Sequence, residues 1–362
     1  MRIRSCGLIA VVLALAPGSA FGDWYFLTDY QYFRPMIADI RTTNNHTRYI
    51  YDEALPYTDD TDPDSRHLQW DVGFSEYFPM LGFEWGDNTD RGPLQRMGAT
   101  LFVDGGAHML LDFNAPSAAV INTDFRAGVG VAMRFPDPAD WVSLRAHFFH
   151  ESTHLGDEYI LLGVDEPGFR RYNPSYEALS LHLSGDRFAK WGTDFRLPPI
   201  RNPFTGRKSR IPLVGRQLTY ARGYAGIRGI NNDSYSGYNN RFEKREPLRA
   251  TGDPEIQLGG ELFYRGWKPA DQRDTNFFKE WLQWQNVVVA LEFYRRDQYS
   301  PTKPEISWSK NLVVGLVYGD HFGTESEPTM KWLLNFYDGV HPHGQLRSRK
   351  MEYIGFDIVI DF

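Results

Sequence analysis

The C-terminal segment Met351–Phe362 reads MEYIGFDIVIDF, and its alternation decides the fold class. Successive side chains of a β-strand point to opposite faces, so a period of two separates the segment into two faces. One face is wholly apolar and consists of Ile354, Phe356, Ile358, Ile360 and Phe362. The other face carries polar or mixed side chains, among them Tyr353, Asp357 and Asp361. A transmembrane β-barrel requires this pattern, because lipid covers its outer wall while its lumen is polar.

This ending also resembles the C-terminal signal of bacterial outer-membrane barrels. In that signal the last residue is typically Phe, and aromatic or aliphatic residues occupy alternate preceding positions. The resemblance implies that the barrel assembly machinery is a partner of the segment that ends at Phe362. It also implies a location in the outer membrane of a bacterial cell.

The same period-two pattern recurs along the chain, for example in Met97–Phe113 and Asn122–Phe135. These runs exceed the roughly 5–6 residues of an average globular strand, and their polar faces carry too much charge for a buried sandwich interior. We therefore predict an all-β protein, a transmembrane antiparallel up-and-down β-barrel of about 12 strands. The predicted strands are Phe33–Arg41, Leu68–Glu84, Arg96–Phe113, Ala119–Phe135, Trp141–Thr153, Ser175–Gly185, Gly215–Ile227, Glu255–Arg265, Trp284–Arg296, Ile306–Gly319, Met330–Tyr337 and Arg349–Phe362. The segment Thr42–His67 is predicted to be an outer loop.

The N-terminus has the pattern of a secretory signal peptide. Arg2 and Arg4 are followed by the apolar run Leu8–Ala16 and by a small-x-small site at Ala20–Gly22, which predicts a signal peptide over residues 1–22. Residues 23–362 then form a single barrel domain. The one cysteine, Cys6, lies in the signal peptide, so we expect no disulfide or Cys-ligated metal. The net charge of −7 gives no basic footprint for nucleic acid.

The segment Trp141–Glu158 contains the candidate chemistry. Its apolar outward series, which ends at Phe148, continues through His150, Ser152 and His154, so these side chains are expected on the lipid-facing wall near the outer end. As a helix, the same residues would form an H-E-x-x-H zinc-peptidase motif. In a strand, residues i and i+4 stand about 13 Å apart and Glu151 points to the opposite face, so the alternation disfavours zinc.

His150-x-Ser152 resembles the H-x-S core of two outer-membrane enzymes, the outer-membrane phospholipase A and the lipid A 3-O-deacylase. The resemblance implies a lipid acyl-ester hydrolase with Ser152 as nucleophile and His150 as base, acting on outer-membrane lipids. Thr153 stands where both enzymes have Asn. On the next strand the outward series extends to Glu177, which could orient His150 if the hairpin closes in its natural register.

The block His150–Glu158 resembles a bacterial family known as domain of unknown function 1207, which implies an envelope protein without an assigned activity. A non-enzymatic barrel, either a narrow pore or an envelope scaffold, is therefore the alternative function. Its charged lumen would contain Asp104, His108, Asp124, Arg126, Glu261 and Arg265. We expect no cofactor and no firm metal site. A divalent cation such as calcium could bind at the loop base through His154, Asp157 and Glu158.

Overall fold

A computed structural model gives the fold. It describes residues 24–27, 31–42, 44–53, 66–89, 91, 95–115, 117–163, 170–188, 218–231, 235–239, 250–265, 286–300, 303–319 and 329–361. The predicted signal peptide and Phe362 lie outside the described residues, so the signal peptide and the terminal recognition signal stay predictions.

The described chain is almost entirely β-structure. The strands are β1 (Trp24–Phe26), β2 (Asn45–Glu53), β3 (Arg66–Glu84), β4 (Gly98–Asp112), β5 (Val120–Arg134), β6 (Val142–Leu155), β7 (Arg170–Phe188), β8 (Leu218–Ile230), β9 (Tyr235–Asn239), β10 (Glu255–Arg265), β11 (Asn286–Gln298), β12 (Glu305–Tyr318), β13 (Thr329–Val340) and β14 (Lys350–Asp361). One short helix, α1 (Asp157–Gly163), and a 3-10 turn at Gly344–Leu346 complete the described secondary structure. No helix in this part of the chain is long and apolar enough to cross a membrane.

Twelve of the strands close an antiparallel barrel, as predicted. Neighbours follow the order β3-β2-β14-β13-β12-β11-β10-β8-β7-β6-β5-β4, and pairing of β3 with β4 completes the ring. The short strands β1 and β9 are not part of this ring and pair with β3 and β7, respectively. We call the end of the barrel at which β14 begins the upper end, and the end at which β14 finishes the lower end. The 15 residues of β4 span about 50 Å, enough to cross a hydrocarbon core of about 30 Å when tilted.

The first predicted strand, Phe33–Arg41, is wrong. Residues 31–42 form no strand but run through the lumen, where Phe33, Met36, Ala38 and Ile40 are buried. The first long barrel strand is instead β2, which lies inside the segment predicted to be the outer loop Thr42–His67. The hydrophobic alternation does not identify β2, because the outward face of β2 is polar or amphipathic. It assigns a strand to the preceding segment instead, whose apolar residues pack inside the barrel.

The outer wall is apolar and the lumen is largely polar, as the alternation predicts. On β14 the side chains of Ile354, Phe356 and Ile360 are exposed, whereas those of Tyr353 and Asp357 are buried. The other long strands also expose large apolar side chains; these include Phe74, Phe78, Leu101, Val103, Phe125, Val129, Phe148, Leu181, Leu183, Ile227, Leu258, Leu262, Leu291, Phe293, Leu312, Leu334 and Phe336. A contiguous apolar surface of this kind marks a membrane-facing wall.

Residues 31–42, which we call the plug segment, fill the lower and middle lumen. The backbone N–H of Ile37 donates to Glu261 Oε1 at 2.8 Å, and Asn311 Nδ2 donates to the Ala38 carbonyl at 2.8 Å. Ala38 also packs against the inward side chains of Val288 and Val313. The inner wall therefore presents both polar and apolar side chains to the plug segment.

The connection His341–Arg349 between β13 and β14 folds into the upper lumen. The backbone N–H of Gly344 donates to Asp124 Oδ2 at 3.1 Å, and Gln345 Nε2 donates to the Thr153 carbonyl at 2.8 Å. His343 lies between two carboxylates, with Nδ1 3.2 Å from Asp124 Oδ2. The upper lumen is thus closed by a turn that β5 and β6 hold in place.

Candidate functional site

The candidate site lies on the outer wall near the upper ends of β6 and β7. His150, Ser152 and His154 point outward from β6, above the exposed Phe148, while Glu151 and Thr153 are buried on the lumen side. Alternation along the strand produces this division, because a side chain and its second neighbour share a face. The strand therefore places the side chains of His150 and Ser152 on the outer wall, as the alternation predicts.

The register of the β6–β7 hairpin brings a carboxylate to the histidine. His150 lies opposite Glu177, and Ser152 lies opposite Ser175. Directly opposed residues of an antiparallel pair have their Cβ atoms about 4.5–5.5 Å apart, so their side chains can touch. The sequence suggests a hairpin register with Glu177 opposite His150, and the structure has that register.

The side chains of His150, Glu177 and Ser175 form a hydrogen-bonded chain. His150 Nδ1 lies 3.3 Å from Glu177 Oε1, and Ser175 Oγ lies 3.3 Å from His150 Nε2. With its proton on Nδ1, the imidazole donates to Glu177 and accepts from the Ser175 hydroxyl. Asn231 Nδ2 donates to the other Glu177 oxygen at 3.4 Å. The order serine, histidine, carboxylate is that of an activated serine nucleophile.

Ser152 has a different partner from the predicted one. Its hydroxyl lies 2.9 Å from His154 Nε2, and within the described part of the chain no hydrogen bond joins it to His150. Ser175 was not singled out from the sequence, although it shares the outward series of β7 with Glu177. The register would have identified it, since Ser175 faces Ser152 across the hairpin.

The zinc-peptidase hypothesis is wrong for this geometry. His150 and His154 lie in a strand rather than on one helix face. Glu151 points into the lumen, where it accepts a hydrogen bond of 2.7 Å from the Tyr176 hydroxyl. A peptidase of this type needs two histidines on one helix face with the glutamate as base beside the metal, and β6 provides neither.

The other candidate metal ligands do not form a cluster. His154 contacts Ser152 and the ring of Phe125, while Asp157 and Glu158 are exposed in the first turn of α1. Acidic side chains in the first turn interact favourably with the positive end of the helix dipole. Across the described ranges, the group of His and Asp atoms close enough to share an ion lies elsewhere, inside the lumen.

Gly156 explains part of the sequence block that follows the site. It lies between β6 and α1, and a Cβ at this position would overlap the carbonyl oxygen of Val120 on β5. The Gly156 N–H donates to the Ile121 carbonyl at 2.9 Å, which fixes the turn. The glycine therefore allows the chain to leave the wall directly above Ser152 and His154.

The charged lumen is a network of buried pairs. His147 Nε2 lies 3.0 Å from Asp104 Oδ1, and the Arg41 guanidinium lies 3.0 Å from Asp124 Oδ2. Burial alone would raise the pKa of Asp39 in the plug segment, but the positive charges of Arg296 and Arg228 lower it. Arg126 is partly buried and Glu261 binds the plug segment, while the side chain of Arg265 lies outside the described residues.

His343 carries a second shift in the upper lumen. Burial opposes its charged form, but the negative charges of Asp71 and Asp124 raise the pKa of His343 above its ordinary value. The same burial lowers the pKa of His341 well below its ordinary value. The pKa values of the two imidazoles of one turn are thus shifted in opposite directions.

The closed sheet, the apolar outer wall and the polar lumen together define a β-barrel of the outer-membrane type. The family described as "Protein of unknown function (DUF1207)" matches residues 25–189, which includes the candidate site. No curated protein matches the chain.

Several solved outer-membrane barrels are similar in fold. The outer-membrane phospholipase A from Escherichia coli is 9% identical, with a TM-score of 0.42, over 88% of this chain and 92% of that chain. An outer-membrane channel from Pseudomonas putida F1 is 7% identical, with a TM-score of 0.40, over 91% of this chain and 98% of that chain. Similarities at this level carry no conclusion about activity.

Proposed function

We propose that this chain is a bacterial outer-membrane barrel that hydrolyses acyl esters of membrane lipids at its outer wall. The observation that carries the proposal is the hydrogen-bonded chain from Ser175 through His150 to Glu177. Catalytic hydrogen bonds are often long before substrate binds, so contacts of 3.3 Å are compatible with a resting site.

The position of the site favours a lipid substrate. His150 is 48% exposed and Glu177 39% exposed, on the same face as the exposed Phe125, Phe148 and Leu181. Acyl chains would lie along the apolar side chains, and the ester would lie at the level of the histidine. A buried pocket is not needed, because the bilayer itself presents the substrate to the wall.

The reaction follows from the three roles. A serine hydroxyl attacks the ester carbonyl carbon while its proton passes to His150 Nε2, and Glu177 stabilises the resulting imidazolium. The imidazolium then protonates the leaving alcohol, which departs as the C–O bond breaks. Water, activated by His150 in the same way, hydrolyses the acyl-serine and releases the fatty acid. In the arrangement with Ser175 beside His150 Nε2, Ser175 would be the nucleophile. Ser152 would take that role if the His150 side chain rotated toward Ser152 on β6.

Of the non-enzymatic alternatives, the narrow pore has less support than the hydrolase. The plug segment and the turn His341–Arg349 occupy the lumen. A cavity beside the plug segment measures about 40 Å³, and another near Arg145 and His147 measures about 10 Å³. Cavities of this size hold from one to a few water molecules.

The test compares lipids from cells that express the wild-type protein and its serine variants. Mass spectrometry of phospholipids and lipid A should show deacylated products for the wild type and their loss in Ser175→Ala or in Ser152→Ala, which assigns the nucleophile. Ser180→Ala is the matched control, because Ser180 lies on the same strand and faces the lumen. Lipid profiles that are identical for all four folded proteins would remove the proposal.

A further inference from the structure

Three metal-ligating side chains from three adjacent strands meet in the lumen. His46 on β2, Asp71 on β3 and His108 on β4 each offer a ligand atom, and these atoms all lie within 4.8 Å of one another. Their exposed fractions are 5%, 2% and 1%. The cluster faces the interior of the barrel and shares no residue with the site on the outer wall.

One nitrogen of each imidazole in this cluster is buried without a hydrogen-bond partner among the described residues. His46 Nδ1 contacts Asn44 Oδ1 at 2.9 Å, which leaves Nε2 directed into the cluster, 3.8 Å from Asp71 Oδ2. Among the described residues, neither His46 Nε2 nor His108 Nδ1 has a hydrogen-bond partner. A buried polar atom without a partner costs about 1–3 kcal/mol. Two such atoms beside a carboxylate form a donor set that a bound cation would satisfy.

We propose that His46, Asp71 and His108 bind a divalent transition-metal ion such as Zn²⁺. Imidazole nitrogens and a carboxylate are its usual ligands, at bond lengths of about 2.0–2.2 Å. Ligand atoms around such an ion stand roughly 3–4 Å apart, so binding would draw the three side chains together by about 1 Å.

The surroundings of the cluster orient its ligands. The contact of His46 Nδ1 with Asn44 is the second-shell hydrogen bond that a metal-binding imidazole typically makes. Arg48 donates to Asp71 Oδ2 at 3.0 Å, and His343 Nε2 lies 3.4 Å from the other oxygen, Oδ1. Ion binding would therefore also fix the turn that closes the upper lumen.

The guanidinium groups of Arg48 and Arg41 near the cluster are paired with carboxylates. Arg48 pairs with Asp71 and Asp357, and Arg41 pairs with Asp124 and Glu151. The two guanidinium groups are thus each paired with carboxylates in this network.

The backbone leaves space for the two rings. Gly73 faces the cluster from β3, and a Cβ there would overlap the His46 ring and approach His108 Nδ1 to 3.1 Å. Any larger residue would displace both imidazoles. Gly73→Ala is therefore a variant that changes the geometry of the site without removing a ligand.

The test measures metal binding by the full-length mature protein in detergent after treatment with EDTA. Wild-type protein should bind one Co²⁺ per chain with a visible absorption band, and one Zn²⁺ should displace it. His108→Ala and Asp71→Asn should weaken Zn²⁺ binding by at least about 100-fold, because loss of a second-shell partner alone costs about 10–100-fold. Gly73→Ala should weaken it by a smaller factor.

His182→Ala is the matched control. His182 is an equally buried lumen histidine, but its Nε2 is hydrogen-bonded to Gln257 at 2.8 Å. Its replacement should leave the stoichiometry and affinity for Zn²⁺ unchanged. The proposal is overturned if wild-type protein binds no more Co²⁺ than His108→Ala, or if His182→Ala and His108→Ala lose binding equally.

Discussion

Among the outward glutamates of the described strands, Glu177 is the one with a histidine opposite it. In the proposed reaction its charge stabilises the His150 imidazolium, so Glu177→Gln should lower kcat for ester hydrolysis by about 100-fold or more. KM should change little, because the carboxylate faces the histidine rather than the lipid. Kinetics on phospholipid vesicles provide the measurement.

The control for this variant is Glu352→Gln. Glu352 is also exposed near the upper end of the barrel, but it lies on β14 opposite Asp338. Its replacement should leave kcat within about twofold. Equal losses in the two variants would point to surface charge rather than to a catalytic carboxylate.

Asp186 forms a deeply buried ion pair with Arg134 in the lumen. Its two oxygens accept bonds of 2.8 and 2.7 Å from Arg134, and the Tyr220 hydroxyl donates to it at 3.1 Å. Asp186→Ala leaves the guanidinium unpaired, so we expect the free energy of unfolding to fall by about 3–5 kcal/mol. Urea unfolding in detergent, followed by tryptophan fluorescence, measures it.

Lys310 and Asp338 form the comparison pair on the outer surface. Their charged atoms are 3.4 Å apart, and more than half of each side chain is exposed. Asp338→Ala should therefore change the free energy of unfolding by no more than about 1 kcal/mol. A loss as large as that of Asp186→Ala would contradict the difference in burial.

Among the elements, the plug segment is the one whose removal should open the lumen. Its backbone is bonded to Glu261 and Asn311 on the inner wall. A variant that lacks residues 31–42 should still close its barrel, because β2 to β14 supply the ring. It should conduct ions in planar bilayers, where the wild type conducts little.

The folded state of the deletion variant needs its own check. A closed barrel migrates differently on gels before and after boiling, and the variant should keep that difference. A folded variant that conducts no more than the wild type would show that other parts of the chain close the lumen.

The elements also show how far the sequence predicts the structure. Strands such as β10 follow the predicted bounds, because an apolar wall and a polar lumen impose alternation wherever lipid is the outer neighbour. The alternation predicts a strand at Phe33–Arg41 and a loop where β2 lies. It misassigns both because the apolar side chains of the plug segment have apolar partners, such as Val288, inside the barrel. A pattern of hydrophobicity identifies a buried side chain but not whether lipid or protein buries it.

The candidate site was predictable to the same limited extent. Alternation placed His150 and Ser152 on the outer wall, and the extension of β7 gave Glu177. The choice between Ser152 and Ser175 depended on side-chain contacts across the hairpin, and the sequence does not contain that register. The lumen cluster of His46, Asp71 and His108 draws its residues from three strands, so no local sequence spacing predicts it.

At the scale of the whole molecule, the barrel separates two kinds of chemistry. The outer wall presents the hydrogen-bonded chain of Ser175, His150 and Glu177 above an apolar surface. The lumen holds buried ion pairs and the cluster of imidazoles. We propose that the hydrogen-bonded residues of the outer wall activate a serine toward lipid esters.

The most direct test of that claim is covalent labelling of the mature protein in lipid vesicles. A fluorophosphonate with an alkyl chain forms a phosphonate ester with an activated serine and releases fluoride. Mass spectrometry should locate the label on Ser175, or on Ser152 if that serine is the nucleophile, and labelling should fall at least about 100-fold in His150→Ala. Wild-type protein that stays unlabelled, or that is labelled as fast as His150→Ala, would contradict the account.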